Sequence, residues 1–187
     1  DMGDDHTVLY AWDGAKIVKS TIYGKVEAMQ SAGNTVALAK ATQSEAIIGD
    51  AGGLGAPVMQ RIRELTGDSL EVLAINGAEK SPKEEYRNMR AEVWFTAGQM
   101  LQEGQACLPD DPTLREDLAA PVYTIRGGKI LLQDKDEIKR ELGRSPDQGD
   151  ACVLGLWYAA QPRRPRPYVH TETSTQKAMR EAQEEDL

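Results

Sequence analysis

Three observations predict an α/β fold built in layers. Short apolar strands alternate with helix-forming stretches over residues 1–160. Two hairpin signals interrupt that alternation, so the sheet should be mixed rather than all parallel. The chain has 187 residues, 40% hydrophobic and 28% charged, which suits one domain with a buried core. From Gln161 the composition shifts to Gln161-Pro162-Arg163-Arg164-Pro165-Arg166-Pro167 and then to a polar, acidic end. Proline at that density excludes helix and inner strand, so residues 161–187 are expected to form a flexible tail.

The first element is a hairpin. Residues 6–12 read as a strand, Asp13-Gly14 is a two-residue turn signal, and residues 16–23 alternate as the return strand. Residues 25–45 favour helix, with Gly33 as the expected interruption. Ala46-Ile47-Ile48-Gly49-Asp50 is a short buried strand ending on an acid, followed by the tight loop Ala51-Gly52-Gly53-Leu54-Gly55. Pro57 fits near a helix start, and Thr66-Gly67-Asp68 ends that helix. Another strand covers residues 70–75. The longest helix is expected over residues 83–102, where Tyr86, Met89, Arg90, Val93, Trp94, Ala97 and Leu101 recur at intervals of three and four. Asp110-Asp111-Pro112 caps a short helix to about Ala120. A second hairpin turns at Arg126-Gly127-Gly128, residues 134–142 are helical up to Gly143, and Ser145 should cap a last helix beginning near Pro146.

Composition removes several functions. No apolar run approaches the ~20 residues of a membrane helix, and no basic-then-apolar leader pattern opens the chain. Two cysteines (Cys107 and Cys152) and two distant histidines (His6 and His170) exclude a disulfide scaffold and a Cys- or His-built metal site. The net charge of −8 excludes a whole-surface basic field, though not a local basic stripe. There is no phosphate-binding Gly-x-x-x-x-Gly-Lys-Ser/Thr sequence. The Gly53-Leu54-Gly55 loop lacks the third glycine of a dinucleotide fingerprint, Val58 standing in its place.

The chemistry therefore rests on acids. Asp50 stands at the carboxyl end of a strand, where open α/β sheets bind ligands, or it hydrogen-bonds its own turn. Asp147 and Asp150 are three apart in the first turn of the last helix. The helix dipole alone would favour acids there, but Asp150 shares its side with apolar Val153, Leu154 and Trp157 and so requires a partner. Clustered carboxylates without His or Cys select hard cations such as Mg²⁺ or Mn²⁺, which commonly serve phosphoryl chemistry. Asp4 and Asp5 are further candidates.

Several stretches, taken together and in order, resemble the C-terminal nuclease domain of the large terminase subunit, the DNA-packaging protein of tailed double-stranded DNA phages. They are Gly3-Asp4-Asp5-His6-Thr7-Val8, residues 48–58 around Asp50, Asn88-Met89-Arg90-Ala91-Glu92-Val93-Trp94, residues 114–118, the Arg126 hairpin, and residues 142–151 around Asp147 and Asp150. The resemblance implies a ribonuclease-H-like mixed sheet flanked by helices with an added β-hairpin, and two-metal cleavage of duplex DNA. Asp50 matches the second metal-binding acid, Asp150 the last, Asp147 an assisting position and Asp4 an accessory acid. The first catalytic Asp of that family falls six residues before the position of Asp4, upstream of Asp1.

On that resemblance the expected activity is an endodeoxyribonuclease that uses two Mg²⁺ or Mn²⁺ ions. It would cut concatemeric DNA during packaging in the host cytoplasm. Its expected partners are double-stranded DNA, an ATPase domain of the same polypeptide, the portal and the small terminase subunit. Arg126, Lys129 and Arg144 are the expected phosphate contacts, or else solvated surface charge. Arg90 would support the site or pair with a nearby Glu. The competing readings are a non-catalytic fragment that docks DNA or portal, and another ribonuclease-H-like nuclease such as a resolvase.

Overall fold

The computed structural model describes residues 6–24 and 26–162. Asp4, Asp5 and the chain from Arg163 onward, with its Arg-Pro run, lie outside the described residues. In chain order the elements are β1 (Thr7–Asp13), β2 (Lys16–Tyr23), α1 (Ala28–Ala41), β3 (Ala46–Asp50), α2 (Gly55–Thr66), β4 (Glu71–Ile75) and α3 (Met89–Gln102). They continue with α4 (Pro112–Ala119), β5 (Tyr123–Arg126), β6 (Lys129–Leu132), α5 (Lys135–Leu142) and α6 (Asp147–Ala159). This is the predicted succession of elements, with one added 3-10 turn at Gly67–Ser69.

The strands pair two by two among the described residues: β1 with β2 antiparallel, β3 with β4 parallel, β5 with β6 antiparallel. The parallel pair requires a crossover, and α2 supplies it. Two apolar clusters hold the layers. One gathers Val93, Trp94, Ala97 and Met100 of α3 with Leu114, Leu132 and the Cys152, Val153, Leu156 face of α6. The other packs Ala32, Val36 and Ala39 of α1 with Met59 and Ile62 of α2 over Ile47 of β3. Helix α6 touches β1 as well as β3. It lies so close to the first hairpin that a side chain at Gly155 would collide with the Trp12 indole.

Three local expectations differ from the structure. Gly33 does not interrupt α1. A single glycine costs about 1 kcal/mol against alanine, and the buried face of α1 outweighs it. The long helix begins at Met89, six residues later than its periodicity suggests. Residues 85–87 spend their backbone on β6 instead: Arg87 N–H donates to Ile130 (2.9 Å) and Ile130 N–H to Glu85 (2.8 Å). Asn88 then starts α3 by accepting from Ala91 N–H at 3.0 Å. Finally, Ser145 does not cap α6. Pro146 holds the cap position without a side-chain bond, and the N–H of Gly149 is satisfied from α4, by Asp117 at 3.0 Å.

Candidate functional site

Asp50 is placed by two constraints. The parallel ladder to Ile75 fixes its backbone, and the following turn closes through Ala51 N–H to Ile75 (2.8 Å) and Gly55 N–H to Gly52 (2.9 Å). Only glycine fits at position 55, since a Cβ there would strike the Asp50 carbonyl oxygen. One carboxylate oxygen of Asp50 accepts from Gly52 N–H at 2.7 Å, the turn bond anticipated as one of its two uses. The side chain nonetheless remains exposed, at the carboxyl end of the strand.

Asp147 and Asp150 sit in the first turn of α6. Asp147 Oδ2 accepts from the His6 backbone N–H at 2.6 Å, with the His6 ring at 3.9 Å. Asp150 Oδ2 lies 2.7 Å from Nζ of Lys135, the first residue of α5. Burial works against the Lys135 charge, but Asp150 foremost, then Asp50 and Asp147, push its pKa above the ordinary lysine value. Of the three acids singled out from the sequence, Asp150 contacts this ammonium group, and the charges of Asp50 and Asp147 act on it as well. A second cation, Arg90, feels some of the same charges, its pKa lowered by burial against the pull of Asp150, Asp134 and Asp50.

Among the described residues no three His, Cys, Asp or Glu side chains close on a point as a ready metal cage. The acids that act on Lys135 offer only carboxylate oxygens, and its positive charge already rests on Asp150. Asp50 and Asp150 are thus donors of the kind a hard divalent cation takes.

The basic residues divide. Arg126 and Lys129 face each other at the tip of the β5–β6 hairpin, Arg126 exposed and Lys129 half-buried. Arg144 is engaged within the protein: it donates to buried Asp117, to Glu116 at 3.1 Å and to the Thr113 carbonyl at 3.4 Å. Among the described residues, neither Glu nor Asp claims Arg90 in a salt bridge. Its Nη1 donates to the Gln133 carbonyl at 2.6 Å.

No protein-family model matches the chain, and no curated protein does. Similarity lies with solved structures. The nuclease domain of the large terminase subunit gp2 of bacterial virus Sf6 aligns with a TM-score of 0.68 and 19% identity, over 83% of this chain and 84% of that one. The large terminase nuclease of thermophilic phage G20c with bound magnesium gives a TM-score of 0.61 at 14% identity, covering 83% and 77%. The same G20c nuclease with cobalt, and a mutant Sf6 domain with manganese and β-thujaplicinol, are similar in the same way. The chain has the phage terminase-nuclease fold.

Within that terminase-nuclease fold, sequence reading missed Lys135, Asp117 and His6. The first carried a usable signal: a lysine opening a helix opposes the helix dipole, so its placement there implies an anionic partner. Asp117 carried none, because its partners Arg144 and Gly149 are 27 and 32 residues away in sequence. Glu92, part of the motif near Asn88, is buried in a network with Ser81 (2.6 Å), Trp157 (3.1 Å) and Lys83 (3.6 Å) that ties α3 to α6.

Proposed function

We propose that this chain is the metal-dependent endonuclease domain of a phage large terminase subunit, cutting concatemeric double-stranded DNA during genome packaging in the host cytoplasm. The observation that carries the reading is the contact of Lys135 with Asp150 in the first turn of α6, at an ammonium on which the charges of Asp50 and Asp147 also act. Asp50 and Asp150 hold Mg²⁺ or Mn²⁺, two ions in all, and Asp147 assists from the same first turn of α6. Asp4 supplies a further acid. The bound ions contribute an activated water and a stabilised leaving oxygen for phosphodiester hydrolysis. Arg126 and Lys129 take DNA phosphates beyond the site, while Arg144 supports the start of α6. An ATPase domain on the same polypeptide, the portal and the small terminase subunit complete the assembly.

The reading includes a ribonuclease-H-like mixed sheet. In support, β1 and β3 each keep one edge without a ladder partner among the described residues, and α6 touches both strands. One further strand, carrying the first catalytic Asp, would join the two pairs. That same feature favours the second reading, a docking module without activity of its own.

Nicking of supercoiled plasmid with Mn²⁺, Mg²⁺ or EDTA tests both. Metal-dependent cutting that is lost in Asp50→Ala and Asp150→Asn, both still folded by circular dichroism, supports the nuclease. Full activity in folded Asp150→Asn refutes the assignment. No cutting by the folded parent chain, restored in a longer polypeptide with an upstream Asp, places the missing ligand outside this sequence. No cutting by either leaves the docking reading.

A further inference from the structure

Arg90 is the second residue of α3, and its stem is clamped. Its backbone N–H donates to Gly77 at 3.0 Å, and a Cβ on Gly77 would come within 3.2 Å of the Arg90 Cβ. Of the five N–H donors of the guanidinium, one set is spent on the Gln133 carbonyl, at the exit of β6 and two residues before Lys135. Nε and Nη2 are buried and bond to no described residue. A guanidinium stays charged under all working conditions, and an orphaned buried donor carries its full desolvation cost. Such a group calls for a use.

The neighbouring charges indicate one. Those that act on Arg90 are Asp150, then Asp134, then Asp50. Asp134 already accepts from Asp136 N–H as the cap of α5, at 2.9 Å. Asp50 gives one oxygen to its turn, and Asp150 gives one to Lys135. A cation binding at Asp150 must displace the Lys135 ammonium, which leaves that carboxylate with one oxygen toward the metal and another in need of a donor. The spare N–H pair of Arg90 is buried, on a side chain whose stem is clamped at Gly77 and whose Nη1 is held by Gln133.

We infer that Arg90 is a positioning residue for the metal-bound form: its Nε–H and Nη2–H take the Asp150 oxygen turned away from the metal and fix which lone pairs face it. This rests on the metal-site reading above. Donors behind a ligating carboxylate typically contribute 10–100-fold in metal affinity.

The test is Mn²⁺ titration by calorimetry of the parent chain, Arg90→Gln and Arg90→Lys, with no DNA present and with thermal melts to confirm folding. Mn²⁺ affinity should fall about 10–100-fold in Arg90→Gln. Arg90→Lys, which keeps the charge without the fork, should not restore it. Unchanged or tighter Mn²⁺ binding in folded Arg90→Gln overturns the inference alone, since loss of a merely repelling cation would favour the metal. Full recovery in Arg90→Lys also overturns it, because charge rather than geometry would then be what matters. A parent chain that binds no Mn²⁺ defeats the metal-site reading, and the inference with it.

Discussion

Lys135 opens α5, in a turn where unpaired N–H groups already present positive charge, so its position is unfavourable on local grounds. The surrounding acids reverse that preference, holding its ammonium 2.7 Å from Asp150. A metal held by Asp150, as proposed, would compete with this lysine for the same oxygens. The pair is partly exposed, 46% on the lysine side and 24% on the aspartate side, so it is worth about 1 kcal/mol, roughly fivefold in an equilibrium constant. Lys135→Ala should therefore lower the Mn²⁺ concentration for half-saturation about fivefold, read by the same calorimetric titration. A higher requirement would show that the lysine assembles the site rather than blocks it. The pH dependence has a definite sign. The folded-state pKa of Lys135 is raised, so the ion pair is fully present below the ordinary lysine value and is lost only as pH rises above it. Between about pH 6 and about pH 9 the competition should be constant, and a change in metal requirement over that window must come from another group. At this scale strand-end and helix-start logic singled out Asp50, Asp147 and Asp150 as the candidate carboxylates. Lys135 was legible only as a helix-start lysine in need of an anion; that the anion is Asp150 was not, because the contact joins α5 to α6 through space.

Helix α6 carries two of the three proposed acids, and its start is anchored from outside rather than by its own cap. Asp117, fully buried in α4, accepts from the Gly149 N–H and from Arg144. Gly149 packs so tightly on the Asp117 Cβ and the Trp94 ring that no larger residue fits there. Removing the carboxylate leaves a buried N–H without its acceptor and takes from Arg144 its buried partner, leaving Glu116 and the Thr113 carbonyl. For a fully buried pair that costs about 3–5 kcal/mol. Because Arg144 keeps 31% of its side chain exposed, Asp117→Ala should cost nearer about 2–3 kcal/mol, measured as a lower urea midpoint with unchanged slope. Asp117→Asn retains an acceptor for Gly149 and should lose less. If both variants unfold like the parent chain, the anchor is not what holds α6 in place. Element by element, the order of strands and helices was readable from periodicity and turn residues. The failures at Ser145 and at residues 83–88 share one cause: backbone groups there are satisfied by distant partners, Asp117 in one case and Ile130 in the other. Local propensity has no access to such partners.

Across the whole molecule, α6 links the proposed chemistry to the core. Its first turn presents Asp147 and Asp150, and two residues beyond Asp150 the chain enters the main apolar cluster at Cys152, whose side chain is fully buried. Burial pushes the Cys152 thiol up to about 12, whereas Cys107 is exposed in the connection between α3 and α4. Thiolate, not thiol, reacts, so a disulfide reagent near neutral pH should modify Cys107 quickly and Cys152 only when α6 leaves the core. The slow phase therefore reports the opening of the helix that holds the site. A cation bound to Asp150 favours the closed state alone, and at ten times its dissociation constant the linkage is about 1.4 kcal/mol, or roughly elevenfold. Mg²⁺ at that level should slow Cys152 modification about elevenfold and leave the Cys107 rate unchanged, with EDTA reversing the effect. In Asp150→Asn the slow phase should persist but lose its response to Mg²⁺. Equal reactivity of both thiols would mean that the core does not close over Cys152. A slow phase that ignores Mg²⁺ in the parent chain would mean that whatever metal binds does not bind through α6.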